Sequence, residues 1–308
     1  MLGAVDIGGT KIAVGMVDQH GYVISGLESP TDARRGYPDA LERITSMLCS
    51  SAQTAGAEIH GIGIGCTGPV DPVSGVIGDV DFLPGWQGAG PVDDLSRRFG
   101  VPVAMENDAD AAALAEANWG AGKDKQRLVY VTIGTGIGGG IVFGGKLYRG
   151  VGQSHPEIGH HVIDPSGPRC FCGALGCWEV LARGPALVEW VTSQAPADYR
   201  YLEGLTAKRV CELSQRGDGL ASRAVGRESY YLGLGVANLM TLFAPDAIVL
   251  GGRVMDSAPL FWDGILKVVR SSCGLVPFEK IHLALAALGQ DTPLIGAAQV
   301  WHSHFTQG

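Results

Sequence analysis

The chain has 308 residues, 46% hydrophobic and 18% charged, which is enough to bury one large core or two modest ones. Lys and Arg number 23 against 31 Asp and Glu, a formal charge of −8, so a surface for the phosphate backbone of a nucleic acid is not expected. No run approaches the ~20 consecutive apolar residues of a membrane span and no basic flank opens the chain, so no membrane partner is expected and the reading is a cytoplasmic protein.

In chain order, Leu2–Val5 and Ile12–Val17 read as short strands around the turn Asp6-Ile7-Gly8-Gly9-Thr10-Lys11. Between Asp39 and Ala55, the residues Leu41, Ile44, Leu48 and Ala52 recur at helical spacing. A β-rich stretch follows at Gly61–Gly65, then a segment broken by Pro69, Pro72, Pro84 and Pro91. Val101–Met105 reads as a buried strand feeding an Ala-rich helix that begins near Asn107. Leu128–Ile133 and Ile141–Tyr148 predict a second strand pair around Gly134-Thr135-Gly136-Ile137-Gly138-Gly139-Gly140, a weak repeat of the first. Pro185–Ser193 and Ala221–Phe243 predict helices, Ala247–Leu250 a strand running into Gly251-Gly252, and Pro293–Phe305 a terminal helix. Alternating strands and helices give an α/β class with a mixed sheet.

Two segments satisfy G-x-G-x-x-G, Gly63–Gly68 and Gly134–Gly139. A dinucleotide site needs a helix directly after the glycines to face a pyrophosphate, but Pro69-Val70-Asp71-Pro72 and Ile141-Val142-Phe143 follow instead. Gly140–Lys146 spells G-x-x-x-x-G-K, yet Leu147 stands where Ser or Thr would hold magnesium. The glycine turns suit a different task, presenting successive backbone N–H groups to an anion. Asp6 is then placed to hold Mg²⁺ through water, with the Thr10 hydroxyl and the Lys11 charge beside it. The plainer reading of Gly8-Gly9 is an ordinary hairpin turn.

Glu106-Asn107-Asp108 falls where a strand ends and a helix begins. Asn and Asp there serve as helix caps, or, if the glycine turns deliver phosphate, a carboxylate accepts the proton of an attacking hydroxyl. Of the seven cysteines, Cys170, Cys172 and Cys177 crowd together with His160 ten residues upstream. Three thiolates and an imidazole in a Gly-rich loop fit tetrahedral Zn²⁺ with no open position, hence a structural site. His155 and His161 compete with His160 as the fourth ligand. Glu157 and Glu179 flank this cluster as fixed acceptors for sugar hydroxyls or as plain surface charges.

Asp6-Ile7-Gly8-Gly9-Thr10-Lys11, Glu106-Asn107-Asp108-Ala109, Gly134–Gly140, Glu157-Ile158-Gly159-His160 and Cys170-x-Cys172-Gly173-x-x-Gly176-Cys177-x-Glu179 together resemble the ROK family of bacterial sugar kinases and repressors. The match runs in family order and continues at Gly251-Gly252. The resemblance implies an actin-like ATPase or hexokinase fold with a structural zinc loop. Its two α/β lobes would close over ATP and sugar, the smaller being residues 1–117 plus 295–308 and the larger 118–294. It implies Asp108 as the catalytic base, and Asn107, Asp108, Glu157, His160 and Glu179 as sugar partners. His160 would serve zinc and sugar through its two ring nitrogens. Asp6, Gly8, Gly9, Thr10, Lys11, Gly134, Thr135, Gly136 and Gly138 would attend Mg-ATP phosphates, with Gly251 and Gly252 near the adenosine. Family members commonly form homodimers.

Glucose is the first substrate read from the resemblance. Ser154-His155-Pro156 resembles fructokinase-type members, whereas the cysteine motif fits the glucose and amino-sugar branches. Glu157 stands where N-acetylmannosamine kinases often carry His, and Phe82 where many relatives carry Asn. Fructose, N-acetylmannosamine or N-acetylglucosamine are the alternatives. A sugar-sensing protein without catalysis is a further one. The repressors carry a DNA-binding domain ahead of this part, and with five residues before Asp6 direct DNA binding is not expected.

Overall fold

The computed structural model describes residues 1–306. Strands β1 (Leu2–Ile7), β2 (Lys11–Val17) and β3 (Val23–Pro30) form an antiparallel meander, followed by helix α1 (Tyr37–Ala55) and strand β4 (Gly61–Cys66). A small ribbon of β5 (Val70–Asp71) and β6 (Val76–Ile77) precedes α2 (Pro91–Phe99), β7 (Val103–Asn107) and α3 (Asp108–Asn118). Strands β8 (Arg127–Ile133), β9 (Ile137–Phe143) and β10 (Lys146–Leu147) come next. Helices α4 (Trp178–Ala182), α5 (Gly184–Gln194), α6 (Ala207–Gln215) and α7 (Gly219–Phe243) then lead to β11 (Ala247–Gly251), α8 (Ala258–Ser272), β12 (His282–Leu285) and α9 (Thr292–Phe305).

Chain contacts define two compact units. The first holds Met1–Gln126, Gly140–Pro156 and the chain from Ala286, and the second Arg127–Gly139 and Glu157–Leu285. The sheet of the first runs β3-β2-β1-β4-β7, with β1, β4 and β7 parallel. Its central strands are buried on both faces, which explains the unbroken apolar runs in the sequence. On one face Val5, Ile7, Ile62 and Ile64 pack with Ile44 and Leu48 of α1 and with the buried ring of Trp86. On the other, Leu2, Ala4 and Ala13 meet Leu294, Ala297 and Ala298 of α9. The alternating Gly-Ile-Gly-Ile-Gly of β4 follows from this arrangement. A Cβ on Gly63 would lie 1.7 Å from the Ala297 carbonyl oxygen, so α9 can seat against β4 only where that strand has no side chain. In the second sheet, ordered β10-β9-β8-β11-β12, strands β8, β11 and β12 are parallel.

Three expectations need correction. The strand placed at Val101–Met105 lies at Val103–Asn107 and runs into the acid pair. The strand placed at Ile141–Tyr148 begins at Ile137 and ends at Phe143, and left-handed Gly144 and Gly145 turn the chain into β10. Glycines here are strand residues under crowding, since a Cβ on Gly139 would sit 2.2 Å from both the Tyr130 carbonyl and the Ile158 side chain. Helices α2, α6 and α8 and strands β3 and β12 were not anticipated. β3 is a largely exposed edge strand without the alternation that marks a half-buried one. No helix among the described residues is long and apolar enough to cross a membrane.

Candidate active site

In the first unit, parallel pairing of β1, β4 and β7 sets Asp6 opposite Gly65 and Gly65 opposite Glu106, then Ile7 opposite Cys66 and Cys66 opposite Asn107. The carboxyl ends of three parallel strands are where α/β sheets present ligand-binding groups. The turn Gly8–Thr10 is pinned here, because the Thr31 hydroxyl donates to the Gly8 carbonyl at 2.6 Å and Thr31 N–H donates to the Thr10 carbonyl at 3.0 Å. Lys11 is directed to Glu28, 2.5 Å away, in an exposed ion pair.

The segment Asn107-Asp108 divides the two roles weighed from sequence. Asn107 is the cap of α3, its Oδ1 accepting from Ala109 N–H at 2.9 Å. Asp108 begins the helix and accepts from the same N–H at 2.8 Å. Burial raises the Asp108 carboxyl above the ordinary carboxylate range, opposed by the Ala109 N–H and by His155 and reinforced by Asp110. Asp6 is pushed up to about 7, first by burial and then by the charge of Asp108, with Lys11 opposing. A buried carboxyl raised by the charge of a second one forms a site that gains from a proton or a cation.

Behind this turn lie Asp110 and Arg149, which sequence reasoning missed, together with Glu106 and His155. Arg149 bridges Glu106 and Asp110, with 2.5 Å to Asp110 Oδ2, and His155 Nδ1 lies 2.7 Å from the same oxygen. His155 is therefore engaged with Asp110 and not with the thiols. The signal available was the spacing Glu106-x-Asp108-x-Asp110, three acids that cannot all face water at a strand-to-helix junction.

In the second unit, His160 Nδ1 lies 3.5 Å from Cys170 Sγ, and Cys172 and Cys177 Sγ are 3.3 Å apart. All four ligand atoms fall within 4.8 Å of one another. A tetrahedral Zn²⁺ with bonds of about 2.3 Å to sulfur needs ligand separations of about 3.8 Å, so this donor set fits the ion. His161 is turned away, donating through Nδ1 to the Ile158 carbonyl at 2.6 Å with its ring against Trp178. The free Nε2 side of His160 faces Glu179, whose Oε1 is 3.9 Å distant.

Glu179 also reaches the second glycine turn, since its Oε2 accepts from Ile137 N–H at 2.9 Å in a buried contact. A Cβ on Gly136 would stand 2.5 Å from that oxygen, which is why the turn has glycine there. Gly134 donates to the Gly136 carbonyl and accepts from Gly184 N–H, each at 2.8 Å, so the turn is fixed at both ends while Thr135 stays exposed. Gly251 ends β11 beneath the Tyr130 hydroxyl, and Gly252, at φ 88°, turns the chain away. Glu157, the first residue of this part of the unit, is exposed.

The two sheets, the paired glycine turns and the Cys/His loop define a protein of the actin-like ATPase fold with a candidate metal centre. The model of the ROK family matches residues 2–304, and the chain belongs to that family. The glucokinase of Streptomyces coelicolor is 35% identical over 96% of each chain. Among solved structures, the ROK hexokinase of Thermus thermophilus superposes with a TM-score of 0.87 at 35% identity, covering 100% of this chain and 99% of that one. A ROK family glucokinase of Streptomyces griseus, crystallised with glucose and AMPPNP, gives 0.82 at 33% identity over 97% and 98%. Proteins named xylose repressor and N-acetylmannosamine kinase match at 32% identity as well.

Proposed function

We propose that this protein is a sugar kinase that transfers the γ-phosphoryl group of Mg-ATP to the 6-hydroxyl of glucose or a close aldohexose. The observation that carries the reading is the placement of Asp108. It stands at the first turn of α3, beside Asp6 and the pinned Gly8–Thr10 turn, with a carboxyl that burial makes more basic than usual. The similarity to glucokinases across nearly the whole chain supports the same reading.

In the proposed reaction the sugar hydroxyl oxygen forms the new bond to the γ-phosphorus and the bond to the β–γ bridging oxygen breaks, releasing ADP. The hydroxyl proton passes to Asp108. Phosphoryl transfer depends mainly on positioning and charge, so the base acts together with groups that hold both substrates still. Gly8–Thr10 and Gly134–Gly138 offer backbone N–H groups to phosphates, and Gly251-Gly252 adjoins the adenosine. Asn107, Glu157, His160 and Glu179 take sugar hydroxyls. Asp6 would hold Mg²⁺ through water beside the nucleotide, where the ion would supply charge neutralisation at the phosphates. His160, Cys170, Cys172 and Cys177 would hold Zn²⁺ as a structural ion that leaves His160 Nε2 for the sugar.

Asp108→Asn tests it, since the amide keeps size and a carbonyl acceptor but takes up no proton. Turnover should fall by about a thousandfold or more, with the circular dichroism unchanged. A near-normal rate would remove Asp108 from the role. The match to repressors favours a second reading, a sugar sensor without turnover, in which the wild type binds sugar and releases no ADP.

A further inference from the structure

Glu106, Asp110, Arg149 and His155 form a charged cluster that lies wholly within the first unit. The Asp110 side chain is fully buried and those of Glu106, Arg149 and His155 are 7%, 12% and 19% exposed. Burying two carboxylates is costly, and a packed apolar set would be at least as stable, so what such a cluster contributes is a fixed geometry. The planar guanidinium of Arg149 supplies it by taking a carboxylate on each arm, a fork that lysine cannot reproduce. His155 holds the same Asp110 oxygen from a second direction, and His304 Nε2 of α9 approaches Glu106 Oε1 at 3.6 Å. The β9 backbone closes the third side, because a Cβ on Gly140 would lie 2.8 Å from the other Asp110 oxygen.

Two segments meet at this cluster. Asp110 is two residues beyond Asp108 in the first turn of α3, so holding it fixes the rotation of that turn. His155 is two residues ahead of Glu157, with Pro156 limiting the backbone between them. We propose that Arg149 and His155 are positioning residues: through Asp110 they fix the helix turn that bears Asp108. This role rests on the kinase reading above.

Steady-state kinetics of the full-length wild type, His155→Gln, Arg149→Lys and Arg149→Met, with sugar and Mg-ATP varied separately, test the proposal. For His155→Gln kcat falls and the sugar KM rises, each by about tenfold, while the Mg-ATP KM and the melting temperature stay close to wild type. Arg149→Lys recovers only part of the loss seen in Arg149→Met, since it restores charge without the fork. Unchanged constants in His155→Gln, or a lower kcat with both KM values unchanged and a lower melting temperature, would reduce the cluster to a structural staple and overturn the role. A wild type that turns over no sugar would remove the kinase reading and this role with it, a pattern distinct from an active wild type with indifferent variants.

Discussion

Asn107 and Asp108 are adjacent, similar in size and both suited to a helix cap, yet the structure gives them different work. Asn107 satisfies the orphan N–H of Ala109 as the cap residue, and Asp108 carries the raised carboxyl one position later. Either role follows from residue type alone, and only the strand register that brings Asp6 alongside separates them. The same contrast holds among the histidines, where the reading favours His160 as the metal ligand and spacing leaves His155 and His161 as competitors. His155 serves Asp110, His161 a backbone carbonyl, and His160 alone of the three brings a ring nitrogen to the thiols. Cys172→Ala removes one donor of the proposed zinc site whose residue is exposed, so the fold has room for the change. We expect the protein purified without chelator to lose about one equivalent of bound zinc and to bind sugar about tenfold or more weakly. Metal analysis and sugar titration check this, and full sugar affinity in metal-free protein would show that the loop organises itself without the ion.

Among the elements, the central strands and the helices α1, α7 and α9 were readable because their apolar pattern is dictated by burial on one or both faces. The Leu41, Ile44 and Leu48 stripe of α1 and the strands β1, β2, β4, β8 and β11 belong to this class. What was not readable was set by partners distant in sequence. Gly61–Gly65 read as β-rich, but the reason for its glycines did not, since Gly61 and Gly63 are strand positions cleared for α9 and Gly65 for α3, which arrive from later in the chain. Glu116 is a similar case, fully buried in α3 and accepting from the N–H groups of Ala121, Ala287 and Leu288. The spacing of the cysteine loop exposed its own chemistry, whereas the charged cluster behind Asp108 joins residues 39 to 45 positions apart, and its local trace is only the three acids of Glu106-x-Asp108-x-Asp110. Gly63→Ala should be destabilising by about 3 kcal/mol, because the clash is with backbone and α9 must move. Urea unfolding reads this out, and a loss below about 0.5 kcal/mol would mean that α9 seats less tightly on β4 than described.

At the scale of the whole molecule, buried carboxyl groups tie stability to pH. Glu228 in α7 is fully buried, with neither oxygen hydrogen-bonded, and burial pushes its carboxyl from 4.5 to about 8. Asp6 and Glu106 are both pushed to about 7, burial leading in each case. Since these groups hold protons more tightly folded than unfolded, the folded chain binds more protons between about pH 4.5 and 8. Stability in the absence of ligands is then greatest at the acid end of this window and falls as pH rises through 7 to 8. Glu228→Gln, which cannot ionise, should lessen that fall, as melting curves from pH 5 to 8.5 would show; a variant with the wild-type slope would mean that Glu228 does not titrate in this range.

The central claim is that this member of the ROK family phosphorylates a sugar. It is tested most directly by measuring ADP release from Mg-ATP over glucose, mannose, fructose, N-acetylglucosamine, N-acetylmannosamine and allose, with full kinetics for each. A dominant kcat/KM for one sugar, glucose first, is the expected result. Sugar binding by the same preparation with no ADP released from any of the six would contradict the claim and favour a sensor.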